Sequence, residues 1–234
     1  MIVDEIAVSS RPGDRVARSA TLIRDADGAA QRLDVVVPAD FSPPQDDDAT
    51  GVLPYALLLA MRLGEPLEVR GRVDSGLLAR IDDIRDYFVQ CGLGRLTPVE
   101  VRTAGTLPAD GPPAPLIASC FSRGHDSTYQ AARGRCAGGP LDALVFADRF
   151  EPLHDDAVRA QEIALAGDAA AALGLPLIVV EAPLRAYADE LYDWDDAAGT
   201  GLAWVGHALS GGLGRFVIAA SHFPQALRRA VLVT

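Results

Sequence analysis

The chain has 234 residues, room for one large domain or two small ones with a buried core, and 49% of them are hydrophobic, an ordinary share for a globular protein. Its 21 basic and 32 acidic residues leave a net charge of −11, which repels nucleic acid and argues against a non-specific polyanion binder, though a small anion can still be held at a local site. No apolar run approaches the roughly 18–20 residues of a membrane span, and Met1–Asp14 lacks a basic stretch followed by an apolar one, so the expectation is a cytoplasmic protein without membrane contact.

Every basic residue is an arginine, and the sequence contains no lysine. Chemistry that elsewhere uses a lysine falls here to arginine or histidine. Cys91, Cys120 and Cys136 are too few and too irregularly spaced for a disulfide framework or a zinc knuckle, and they read as free thiols in a reducing compartment.

From the N-terminus, Ile2–Val8, Val16–Arg24 and Leu33–Pro38 alternate like strands, separated by turn signals at Arg11–Asp14 and Asp25–Gly28, which predicts an antiparallel sheet. Ser42–Gly51 is a loop whose three adjacent aspartates point apart and suit solvent better than a metal. Pro54–Leu63 has helical spacing and Leu67–Val73 strand spacing. Asp74-Ser75 can cap a helix from Gly76 to Cys91, with Leu78, Ile81, Ile84 and Phe88 on one face, and Val99–Arg102 completes the region as a strand. Thr103–Pro115 is rich in proline and glycine and poor in large apolar residues. Residues 105–115 therefore read as a linker after a smaller α+β N-terminal domain spanning 1–104.

Past the linker, strand and helix alternate: strand Leu116–Phe121, helix Ser127–Arg135, strand Ala143–Ala147, helix Asp155–Leu173, strand Leu177–Val180, helix Ala197–Leu209 and strand Arg215–Ala220. Apolar runs without polar alternation suit strands covered on both faces, so residues 116–234 predict a parallel α/β domain. Ligands of such sheets lie at the carboxyl ends of the strands, which directs attention to the residues just after each one.

The first strand is followed by Ser122-Arg123-Gly124-His125-Asp126-Ser127. A loop between strand and helix presents unpaired amides and the positive end of a helix dipole, a combination that binds phosphate, while a helix-capping turn explains the same residues structurally. The loop resembles the Ser-Gly-Gly-X-Asp-Ser signature of the PP-loop, or N-type, ATP pyrophosphatases. Ser122, Gly124, Asp126 and Ser127 match it, and Arg123 stands where the family has glycine. The wider pattern is similar to a bacterial group with 7-cyano-7-deazaguanine synthase- or asparagine synthetase-type domains and an extra N-terminal domain.

The resemblance implies a Rossmann-like fold of the adenine nucleotide alpha hydrolase type, binding ATP and magnesium. An acceptor oxygen of a small metabolite attacks the α-phosphorus, pyrophosphate leaves, and ammonia, an amine or sulfur displaces the adenylate. It implies phosphate binding at Ser122, Gly124 and Ser127 and magnesium at Asp126; within the same loop His125 is a further candidate for phosphate, and Asp126 and Arg123 are the candidate catalytic residues. If the replaced glycine supplied a positive φ or a close approach, Arg123 strains the loop by roughly 1–2 kcal/mol or blocks phosphate. Alternatively its guanidinium holds phosphate in place of a lysine. A loop damaged in this way leaves a catalytically silent module that binds a nucleotide or a partner.

At the other strand ends, Asp148 can face the ribose or simply occupy a surface turn. Glu181 stands where it can contact magnesium or substrate, and solvent exposure explains it equally well; the group Asp189, Glu190, Asp193, Asp195 and Asp196 could suggest a cation site but, without fixed ligand spacing, suits a solvated acidic face better. Ser210-Gly211-Gly212 imitates the signature but follows a helix, so it reads as a helix stop. His222, after the fourth strand, is placed to approach a nucleotide, and Ser221-His222 as a hydrolase pair lacks an orienting acid. Twelve residues follow His222, a short end for this family, either truncated or completed by a partner protein or a second copy.

Overall fold

The computed structural model describes residues 1–43, 45–92, 94–108, 114–136, 138–151 and 155–219. Three long antiparallel strands come first, β1 (Ile2–Arg11), β2 (Arg15–Ile23) and β3 (Ala30–Pro38), as their alternation predicts. Next come α1 (Val52–Leu63), β4 (Leu67–Asp74), α2 (Ser75–Ala79), α3 (Ile81–Cys91) and β5 (Val101–Leu107). The single helix expected over Gly76–Cys91 is broken at Arg80 (φ −111°), although its start is capped as anticipated, Asp74 accepting from the Leu77 amide at 2.8 Å. Leu78, Ile81, Ile84 and Phe88 do form the packed face.

The second half runs β6 (Leu116–Cys120), α4 (His125–Arg133), a small hairpin β7 (Arg135–Cys136) and β8 (Gly139–Pro140), β9 (Ala143–Asp148), α5 (Asp156–Ala172), β10 (Leu177–Glu181), α6 (Arg185–Leu191), α7 (Trp194–Ala208) and β11 (Leu213–Val217). Helix α6 occupies part of the stretch expected to be an acidic surface. Its seven residues are too few for periodicity to register.

One nine-stranded, mostly parallel sheet, β11-β6-β9-β10-β3-β2-β1-β4-β5, passes through both halves. The boundary expected at 105–115 is therefore not a break in the sheet, and β5 takes up its first three residues. The halves meet where β10 and β3 pair antiparallel at Glu181 and Val36. Arg15 stitches this joint, its guanidinium donating to the carbonyls of Val36 (2.9 Å) and Val179 (3.2 Å). A Pro/Gly-rich segment marks a place where regular structure stops, and sheet pairing between segments distant in sequence leaves no local signal there.

Helices cover both faces of the second half, as parallel strands require. Adjacent residues of β9 divide between them: Ala143 and Val145 enter a large core shared with α1, α6 and α7, and Leu144 enters a smaller one with Phe121, Ala131 and Ala170. Helix α1 is the centre of the large core. Leu53, Tyr55, Leu57, Leu59 and Met61 are wholly buried, and Gly64 ends the helix in the left-handed conformation at φ 70°. Burial of an aliphatic side chain stabilises by roughly 1.5–3 kcal/mol, so this helix binds the two halves more strongly than the short β3–β10 joint. Helix α7 lies on α1. A side chain on Gly51 would stand 2.8 Å from Trp204, and the Tyr55 hydroxyl donates to the carbonyl of Leu184 at 2.8 Å.

The turn Ser210-Gly211-Gly212 does end a helix, and its glycines have a further reason. The Gly211 amide donates to the carbonyl of Phe41 at 2.9 Å, and a Cβ at Gly211 would lie 2.5 Å from the Ser42 carbonyl oxygen. The resemblance to a phosphate signature is the by-product of a close backbone approach.

Candidate functional site

In the second half, β10, β9, β6 and β11 run parallel in that spatial order, so the chain proceeds from β6 outward in one direction through β9 and β10 and returns to the other side of β6 with β11. The carboxyl ends of β6 and β11 flank the point where the strand order reverses, the place where open α/β sheets form a ligand crevice. A cavity of about 550 Å³ opens there.

Its floor is the loop after β6. Ser122, Gly124, His125, Asp126 and Ser127, five of the residues expected to act, line it together. The serines hold the loop in shape: the Ser122 amide donates to Ser127 Oγ at 3.2 Å, Ser127 Oγ donates to the Gly124 carbonyl at 3.1 Å, and the Gly124 amide donates to Ser122 Oγ at 3.3 Å. No side chain caps α4. The first amide of this turn to find an intrahelical acceptor is Thr128, bonded to the Gly124 carbonyl at 2.9 Å. The amides of His125, Asp126 and Ser127 consequently have no partner within the helix and give its N-terminus the partial positive charge of an anion-binding end.

Arg123 has φ 61°, the left-handed backbone that glycine would adopt freely. Its side chain does not line the cavity. The guanidinium pairs with Glu162 of α5, and its Nε is buried without a hydrogen-bond partner among the described residues. Glu162 itself lines the cavity. The strained-backbone expectation is thus met, while direct phosphate binding by Arg123 first requires release from Glu162.

Asp148 is 1% exposed and does not line the cavity. Its Oδ2 accepts from Arg159 Nε at 2.7 Å. Arg159 also reaches Glu181 at 3.3 Å, and Glu181 pairs with Arg149 at 3.2 Å. Neither the ribose contact nor the surface turn expected of Asp148 matches this placement, because Arg159, one turn into α5, folds back over the end of β9 and takes the carboxylate. His222 and Ser221 lie outside the described residues.

Sequence reasoning missed the walls. Phe121, Phe146 and Phe150 supply aromatic surface, with Leu202 of α7 and Ile218 beyond β11 adding aliphatic surface. Phe150 also packs on Trp194, ring centroids 4.7 Å apart. Arg149, at φ 59° like its counterpart after β6, faces the cavity as its only lining arginine among the described residues. Glu151, Asp195 and Asp196 form the far side. Glu151 is held by Arg185 and by Trp194 Nε1 at 3.3 Å, and Asp196 by Arg95 at 2.5 Å. The usable signal for Arg149 and Phe150 was their position just after a strand, whereas nothing local distinguishes Glu162 from any other helix-surface glutamate. Cys120 also borders the cavity, and burial pushes its thiol up to about 12, which keeps it protonated and unreactive.

Among the described residues no group of three or more His, Cys, Asp or Glu side chains could hold a metal by itself. Fold and site together define an α/β protein with a strand-end cleft. No protein-family model matches the chain, and a search of curated proteins gives no match.

Proposed function

We propose that this protein is a Rossmann-like, PP-loop-type nucleotide-binding protein that takes ATP with magnesium and adenylates a carboxylate or carbonyl oxygen of a small metabolite. The observation that carries the reading is the position of the loop Ser122–Ser127, between β6 and an uncapped helix N-terminus, on the floor of the cavity where the strand order reverses. The order β10-β9-β6-β11 also matches the first four positions, 3-2-1-4, of the doubly wound nucleotide-binding order.

In this reading the amides at the start of α4 hold phosphate oxygens and the phenylalanines receive the base. Asp126 would hold a magnesium ion bound together with the phosphates, since Mg²⁺ in such sites is held by one or two carboxylates plus substrate oxygens. Such an ion would supply charge neutralisation at the phosphates. The chain's own contribution is positioning: a loop fixed by the Ser122–Ser127 bonds presents its amides without reorganisation, and the apolar walls limit water.

A second reading, a catalytically silent nucleotide- or partner-binding module, is favoured by Arg123, held off the cavity by Glu162, and by the carboxylates Asp126, Glu151, Glu162, Asp195 and Asp196 that face the cavity against Arg149. Titration calorimetry with Mg-ATP and ATP–pyrophosphate exchange over a panel of small carboxylic acids test both. Binding with acid-dependent exchange supports the enzyme, binding without exchange supports the silent module, and no binding of Mg-ATP removes the nucleotide reading altogether.

A further inference from the structure

On the opposite side of α7 from the large cleft lies a second, much smaller polar cavity of about 10 Å³, lined by Arg18 and Ser19 of β2, Asp48, Gly51, and Trp204 and His207 of α7. Ser19 is 3% exposed, and its hydroxyl has no hydrogen-bond partner among the described residues. A buried hydroxyl left unsatisfied costs about 1–3 kcal/mol, so such groups are nearly always bonded to protein or to an internal water.

The surroundings are fixed by other bonds. His207 Nε2 and Asp48 Oδ2 lie 2.7 Å apart, and Asp48 Oδ1 accepts from the Thr50 amide at 2.9 Å. Arg18 spends its donors on Ser42 Oγ and on the carbonyls of Pro43 and Gln45. Serine, histidine and aspartate around one space have the chemistry of nucleophile, base and orienting acid, yet this space has the size of one water molecule and admits no carbonyl substrate. A cavity of roughly 10–15 Å³ with two to four polar partners is what one internal water needs.

We infer that this cavity is a binding site for a single structural water, hydrogen-bonded to Ser19 Oγ and shared with the His207–Asp48 pair. The water joins β2 of the first half to α7 of the second, completing a polar connection behind the wall of the large cleft.

A crystal structure of the full chain, at a resolution that shows other internal waters, is expected to place one ordered water within hydrogen-bonding distance of Ser19 Oγ. In Ser19→Val a methyl group occupies that space, so the water density disappears, and oxygen-17 relaxation dispersion in solution counts one long-lived internal water fewer than in wild type. Absence of density in wild type, a Ser19 hydroxyl bonded instead to a protein acceptor, or an unchanged water count in Ser19→Val overturns the assignment. If Ser19→Val does not fold, the wild-type density alone decides the question.

Discussion

Replacing Gly211 by alanine separates two roles a glycine can have. The added Cβ would stand 2.5 Å from the Ser42 carbonyl oxygen, 2.7 Å from its carbonyl carbon and 2.9 Å from the Phe41 oxygen, all backbone atoms. Carbon and oxygen rest at roughly 3.3 Å or more, so the turn and the Phe41–Ser42 segment must part by most of an ångström. Overpacking of this kind costs about 1–3 kcal/mol, here toward the upper end because all three clashes are with backbone, and the stiffer unfolded chain returns about 0.4–1 kcal/mol, leaving a net loss of up to about 2.5 kcal/mol. For a chain of this size each kcal/mol lowers the midpoint by about 2–4 °C. Gly167→Ala is the control: it lies inside α5, a Cβ there meets nothing within 4 Å, and alanine in a helix interior stabilises by about 1 kcal/mol. Thermal and urea unfolding followed by circular dichroism should move the two variants in opposite directions. A Gly211→Ala protein as stable as wild type would falsify the close approach between the α7–β11 turn and the first half of the chain.

The Asp48–His207 pair predicts a pH response. Burial raises the Asp48 carboxyl, but the bonds from His207 and Thr50 outweigh it and bring it from 3.8 to about 2. A carboxyl held low in the folded state contributes stability that is full above its ordinary value and is lost as the pH falls toward 2, here about 2 kcal/mol. Asp48→Asn should abolish that part of the acid-induced loss, measured as urea midpoints between pH 6 and 2; parallel curves for variant and wild type would remove the pair from the account. Arg159→Met should destabilise by about 3 kcal/mol by leaving the buried Asp148 carboxylate unpaired, and Asp148→Asn in the same background should recover part of it. Arg123→Gly relieves the left-handed backbone at the expense of the Glu162 ion pair, terms of about 1–2 and 0–1 kcal/mol. Its stability should equal that of wild type or exceed it by up to about 2 kcal/mol, while Mg-ATP affinity rises. If affinity falls instead, Arg123 itself holds the phosphates.

Most elements of this fold were legible because their apolar residues recur at the right period. The alternation in Leu67–Val73 became β4, with Leu67, Val69, Gly71 and Val73 buried and Glu68, Arg70 and Arg72 exposed. The loop Ser122–Ser127 was legible as a strand-end loop because its residue types and its place after a strand agree, and it lines the cavity. The walls of the cleft were not, since Glu162, Asp195 and Asp196 come from helices whose surface carboxylates look alike in sequence. Pairing across the chain was least visible. Nothing around Val36 or Glu181 says that they meet, and the Ser-Gly-Gly of the α7–β11 turn points to phosphate until Phe41 is seen against it.

The shared core also bears on how the chain comes to be folded. The apolar face of α7 is covered by α1, which emerges from the ribosome well before it, while the sheet joint at Val36 waits for Glu181. The first half can thus act as a template on which the second condenses, and residues 116–219 made alone would expose Trp204, Val205 and Leu209 to water. Placed after its own first half, the strand-end cleft forms late in synthesis, once its outer wall has a surface to rest on.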